Sequence, residues 1–373
     1  MRTGVRRRTS SFTTLKENPP LRRTVTELRQ SGQRIKHSLG AMSFRFLPAP
    51  GKIGHPGQKN RLQVRLAESE LFGVCWAPHD FTEFVALVQW PFVGPGYLSG
   101  WRGQANADWP LDSGAYRRLQ ERPDAWLKEP ENQLTWLERM PSEETAMAAY
   151  EHELLSVVRM AGHGLSEGRR LSDLELLARL QHHGAATRLV DFTANALIAL
   201  WFAAQDPHHA NRWGVVFGAC LATAREIRRD TELDAPMDEQ LARAGGEMTF
   251  WHPSALSPRI PAQSGFFLWS EVREVCEWSS LGRTPDRAPR SDQPSQLDGQ
   301  FIAIAISPRL KGQMRFMWDG NLGLNSKRMF PDFDGFSRAN GAEVPLDRSS
   351  MHNIGFRGLA GADDDWFQHR EDP

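Results

Sequence analysis

Thr187-Arg188-Leu189-Val190-Asp191-Phe192-Thr193-Ala194-Asn195-Ala196-Leu197-Ile198-Ala199-Leu200-Trp201-Phe202-Ala203 passes from a short β-prone stretch into an apolar run. The pattern predicts a strand over 187–190 and a turn. A helix follows, capped by Asp191 or Thr193, with Leu197, Ile198 and Trp201 on its apolar face. Such a turn aims backbone amides and side chains at one place. Arg188, with Arg102 from an earlier strand, would offer guanidinium forks to phosphate groups there. A second reading stands beside this one, in which Asp191 pairs with Arg188 and Thr193 only caps.

Working outward, Phe81, Phe84, Val85 and Val88 recur at three and four residues and predict an amphipathic helix over 80–89. Residues 97–104 read as a strand entering a glycine turn, and 112–120 as the start of a helix. Ser142 before a Glu-rich first turn, and Ser172 before Leu174, are capping signals for helices over 142–159 and 171–182. Gly214–Gly218 and Gly299–Ile306 read as strands, the second buried on both faces. The Pro-, Arg-, Asp- and Ser-rich stretch 283–296 is the clearest internal loop. Together these elements predict an α+β fold around a largely antiparallel or split central sheet.

Charge is unevenly spread. Ten basic and two acidic residues precede Met42, whereas the rest carries 35 basic and 43 acidic residues, which argues against a body that binds nucleic acid by bulk electrostatics. Residues 1–60 are read as a basic, disordered arm, 61–345 as the folded domain and 346–373 as a tail. Met1 and Met42 both remain candidate starts. Cys75, Cys220 and Cys276 form neither a disulfide framework nor a CxxC pair, so a reducing, cytoplasmic setting is expected. No apolar run approaches the roughly 18 residues of a membrane span. His182-His183 is not expected to bind a metal, because neighbours on a helix point apart and no HxxxH or HxH partner is near. A general base or a ribose contact suits the pair better. Phe330-Pro331-Asp332-Phe333-Asp334-Gly335 reads as a Pro-initiated turn rather than a calcium loop.

Four stretches resemble the FRG family, in its order. They are Trp101-Arg102-Gly103-Gln104, with Trp in place of the Phe of the name motif; Ala178 through Thr193, running into the apolar helix; Arg259-Ile260-Pro261-Ala262-Gln263-Ser264-Gly265-Phe266-Phe267; and Phe330 through Gly335. The first two also resemble, more distantly, mono-ADP-ribosyltransferases. That likeness implies a split-sheet cleft for NAD. Arg102, with Gly103, Gln104, Arg188 and Asp191, would hold the cofactor, His182 would contact ribose, Thr193 would orient the strand that grips nicotinamide, and Phe192 or Trp201 would stack. Such transferases carry a glutamate on a third strand. Here Gln263 and Gly265 stand in the corresponding block, with Glu271 and Glu274 following. Gln263 would bind an amide or ribose, or else satisfy backbone at a sheet edge.

The resemblance implies an NAD-dependent ADP-ribosyltransferase-like toxin in a bacterial or phage-defence setting, acting on a macromolecular target or held by an antitoxin. The alternative is a non-catalytic ligand-binding or protein-interaction domain on the same fold.

Overall fold

The structure is a computed structural model that describes residues 44–53, 62–89, 98–121, 134–222, 224–228, 230–253, 256–272, 278–281, 297 and 300–341. All lie in the second of the two units into which the chain divides, Met42–Pro373. Fourteen strands are described: β1 (Arg45–Phe46), β2 (Gly51–Ile53), β3 (Leu62–Val64), β4 (Leu66–Ser69), β5 (Gly73–Trp76), β6 (Gly100–Gln104), β7 (Leu165–Ser166), β8 (Arg169–Arg170), β9 (Val190–Thr193), β10 (Gly214–Ala219), β11 (Arg225–Ile227), β12 (Thr249–Trp251), β13 (Gly265–Trp269) and β14 (Phe301–Ile306). The α-helices are α1 (Phe81–Gln89), α2 (Gly114–Gln120), α3 (Trp136–Arg139), α4 (Glu143–Met160), α5 (Asp173–His182), α6 (Ala196–Ala204), α7 (Asp230–Leu233), α8 (Met237–Ala244), α9 (Arg259–Ala262), α10 (Pro308–Met317), α11 (Ser326–Met329) and α12 (Phe333–Ala339).

The result is a mixed fold with one large, mostly antiparallel sheet and flanking helices. Its order is β1-β4-β5-β14-β10-β6-β9-β13-β12-β11. Among the described strands of this sheet, β5–β14 and β11–β12 are the parallel pairs. Strands β10 and β14 run at the centre, paired over six residues each, and every residue of both is buried. That explains why their sequences are apolar without alternation. On one face Val215, Phe217, Phe192, Phe266 and Phe301 form a core cluster. On the other, Val216, Ile302 and Ile304 pack under Ala199 and Ala203 of α6 and Leu310 of α10. Burying side chains of this size contributes about 1.5–3 kcal/mol each.

At the middle of this sheet the pairing thins. Strand β10 meets β6 over five residue pairs and β13 meets β9 over four, but β6 and β9 are joined by one pair, Trp101 with Thr193. Beyond it the two strands part, and the gap opens beside Arg102.

Helix grammar was legible. Ser142 caps α4, and Ser172 caps α5 in a reciprocal box with Glu175. Other expectations need correction. The fold begins inside the stretch read as an arm: Phe44 is buried, its ring 5.4 Å from that of Trp213, and β1 pairs with β4. Residues 1–43 and 54–60, the loop 283–296 and the tail 346–373 lie outside the described residues. Residues 97–104 do not enter a glycine turn, because Gly103 lies within β6. Residues 330–335 form the start of a helix, with Asp332 accepting from Gly335 N at 2.8 Å to cap α12. Among the described residues no helix is long and apolar enough to cross a membrane.

Candidate functional site

The strand of the second block lies three residues later than its composition predicts. Strand β9 covers Val190–Thr193, and α6 starts at Ala196. Asn195, not Asp191 or Thr193, caps that helix, accepting from Leu197 N at 2.9 Å. The Thr193 hydroxyl instead ties the turn together. It donates to Gln263 O at 2.7 Å and accepts from Asn195 N at 3.0 Å, which commits its one donor proton and one of its two acceptor sites. Thr193 therefore positions the turn and does not offer a free catalytic hydroxyl.

Helix α6 crosses directly over β6. A Cβ on Gly103 would stand 1.8 Å from the Ala199 carbonyl oxygen, so only glycine lets the helix approach this closely. Gly103 is thus required by packing, and it also contributes to the cleft lining.

Arg102, next to it, reaches into the gap between β6 and β9. Its Nη1 donates to the main-chain oxygen of Asp191 at 2.8 Å and lies 3.8 Å from the Asp191 carboxylate. Its Nε has no protein partner. Burial lowers the Arg102 pKa from the usual arginine value, while Asp191 works in the opposite direction. The pair stands at the wall of a cleft of about 580 Å³. Arg102, Gln181 and Asp191 also line a second hollow of about 440 Å³ on the side of Arg117 and Arg118, so they separate the two spaces.

The far wall is built from residues distant in sequence. Arg259 of α9 holds Asp332 through Nη2 at 2.8 Å and also through Nε, and its guanidinium lies 5.2 Å from the Phe330 ring centre. His182 Nε2 is 3.2 Å from Asp332 Oδ2, and His183 Nδ1 is 3.0 Å from Asp334 Oδ2. Burial, then Arg259, lowers the His182 pKa against the opposing pull of Asp332, which favours the neutral imidazole. Gln263 closes α9 rather than sitting in a strand, and donates from Nε2 to Met329 O at 2.8 Å. Ser264, between Gln263 and β13, takes the left-handed conformation at φ 47°. The second, third and fourth sequence blocks therefore meet at His182, Arg259 and Asp332.

Arg102, Gly103, His182, Asp191, Thr193 and Gln263 are brought to one cleft. Three other candidates, Arg188, Gln104 and Glu271, are not. Arg188 is 2% exposed and buried in an ion-pair network, with Nε to Glu151 at 2.7 Å and Nη2 to Glu144 at 2.8 Å. Burial opposes its charge, but Glu151 and Glu144 outweigh that and raise its pKa above the usual value. It has no fork left for phosphate. Glu271 lines a different depression, beside Arg188, Glu144 and Glu151, and Glu274 lies outside the described residues. Gln104 is buried and donates to Pro110 O at 3.3 Å, away from the cleft. Phe192 borders the cleft, but its ring packs into the core, 6.0 Å from that of Phe266, which turns it away from stacking on a ligand. Trp201 is buried as well and does not line the cleft, whereas Phe202 and Phe330 do, with Trp101 and Phe267.

Arg259, Asp332 and Asp334 lie within the third and fourth blocks, where no single motif marks them as site residues. The signal was the opposite charge of the third and fourth blocks, whose opening Arg and internal Asp form a half-buried pair.

Among the described lining residues Asp191 is the one carboxylate, against Arg102, Arg179, Arg259, His182 and His183. The cleft is suited to an anion. No curated protein and no solved structure matches the chain. Residues 99–212, from the start of β6 past the end of α6, match the FRG domain family. The first two blocks thus carry a shared family pattern, and residues 99–212 of this chain are an FRG domain.

Proposed function

We propose that the cleft binds NAD and that the chain is an ADP-ribosyltransferase-like effector. The observation that carries this reading is the order β6-β9-β13. The three strands that hold or directly follow the first three blocks are neighbours, and the seam between the first two opens at Arg102. A volume of about 580 Å³ lies in the ordinary range for small-molecule sites. In this reading Arg102 exchanges Asp191 for the diphosphate, and Arg179 adds positive charge at the same cleft. Gln263 supplies its main-chain oxygen to fix Thr193, which holds β9 in place. Phe202 and Phe330 provide apolar surface for a ring.

Transfer requires a carboxylate to stabilise positive charge on the ribose as nicotinamide leaves. Strand β13 presents Gly265 opposite Thr193 and Phe267 opposite Asp191, so the third strand offers none on that face. Asp191 is the carboxylate available from the lining. This same observation favours a second reading, a non-catalytic NAD-binding or interaction domain.

Calorimetry of the full chain against NAD, followed by chromatography for released nicotinamide, tests both. Saturable binding with release of nicotinamide supports the transferase reading, and binding without turnover supports the second. Absence of binding removes the transferase reading and leaves the interaction domain. An effector acting in the cytoplasm of a bacterial cell, as in phage defence, would arrest growth on expression, and Arg102→Ala would relieve the arrest.

A further inference from the structure

At the rim of the cleft, two adjacent histidines meet a carboxylate from the far end of the folded chain. One ring nitrogen of each of His182 and His183 and one carboxylate oxygen of Asp334 lie within 4.8 Å of one another. Neighbouring side chains inside a helix diverge by about 100°. Here, however, His182 is the last residue of α5 and His183 is its C-cap, and the two rings meet edge to face at 4.9 Å. The reason for expecting no metal therefore does not apply at this helix end.

The cluster is braced from behind. Asp332 contacts His182 Nε2 at 3.2 Å while it is held by Arg259 and caps α12, the helix that carries Asp334 in its first turn. With Nε2 beside Asp332, Nδ1 is the His182 nitrogen left for a metal, and a carboxylate next to the other ring nitrogen is the usual outer support of a metal-bound histidine. Bonds of about 2.0–2.2 Å to a zinc ion place its ligand atoms roughly 3–3.5 Å apart. The side chains of His183 and Asp334 are 58% and 44% exposed, so both are free to close that distance by small rotations.

We propose that His182, His183 and Asp334 bind a divalent transition-metal ion, with its open coordination position toward the cleft. Two imidazoles and one carboxylate form a donor set suited to zinc and its neighbours, and three protein ligands leave room for a water or a phosphate oxygen. The inference does not depend on NAD being the ligand.

The test uses the untagged full chain, stripped of metal, titrated with Zn²⁺ alone by calorimetry and with Co²⁺ by visible absorption. One saturable site is expected, weakened at least about tenfold in His183→Ala and in Asp334→Ala. The metal-free melting temperature of both variants stays at the parent value, and His163→Ala, at an exposed histidine elsewhere, binds as the parent does. No saturable site, or equal binding by the parent and both rim variants, overturns the inference. No nucleotide is present, so a failure to bind NAD leaves this result standing, and the converse also holds.

Discussion

The guanidinium of Arg102 donates to the main-chain oxygen of Asp191 at 2.8 Å, bridging β6 and β9 where their own pairing has stopped. A cation placed in a seam of the sheet, with its Nε unpartnered, is both a strut and an anion anchor.

Arg102→Ala therefore abolishes saturable NAD binding by calorimetry and costs about 1.5–3 kcal/mol, the range for hydrogen bonds from a charged group. The melting temperature falls by a few degrees. Complete unfolding at room temperature would make Arg102 a structural residue first.

Asp191→Asn keeps the main-chain oxygen that Arg102 uses and removes the carboxylate 3.8 Å away. The Asp191 side chain is 62% exposed, so the pair contributes at most about 1 kcal/mol. Removing its competition should tighten inorganic diphosphate binding up to about fivefold. Nicotinamide release, if present in the parent, should fall, because the lining loses its carboxylate. Weaker diphosphate binding in this variant would show that Asp191 helps to hold the ligand.

Arg188→Met leaves Glu151 and Glu144 without their shared cation. Breaking a buried pair in this way costs about 3–5 kcal/mol, a fall in melting temperature of roughly 6–10 °C. In the folded fraction ligand affinity stays at the parent value. Selective loss of affinity without loss of stability would return Arg188 to the binding site.

Asp112 gives the fold a pH dependence of its own. It is 4% exposed, and burial pushes its carboxyl up to about 6. An unfolded aspartate releases its proton near about 4, so between these values the folded chain binds more protons than the unfolded one. The contribution of this group to stability is thus fully present below about 4 and falls as pH rises toward 6. The loss is on the order of 3 kcal/mol at most. Asp112→Asn should flatten the denaturant midpoint over that window, and an unchanged slope would show that Asp112 does not titrate there.

Much of the fold was legible because it rests on local chemistry. Ser142 and Ser172 announced α4 and α5, and the unbroken apolar runs of β10 and β14 announced strands covered on both faces. Side-chain destinations were harder. Arg188 and Asp191 lie three residues apart, close enough to suggest one site, yet Arg188 precedes β9 and turns into an ion pair with α4 while Asp191 faces the cleft. Phe192 and Thr193 are adjacent, and the pleat sends them to opposite faces. The Arg259–Asp332 pair spans 73 residues, a separation at which no local pattern operates. The opening strands β1 and β2 are two and three residues long, too short to show alternation.

The single residue pair between β6 and β9 makes this seam, mechanically, one rivet between two plates, as a single pair also joins β14 to β5. The strands flanking this seam, β10–β6 on one side and β9–β13 on the other, are paired over five and four residues, so strain applied across the seam concentrates at Trp101 and Thr193. A ligand that engages Arg102 on one plate and the β9 turn on the other would work as a clamp. Its departure would return the seam to a joint with play, and the spacing of the plates would register whether the cleft is filled.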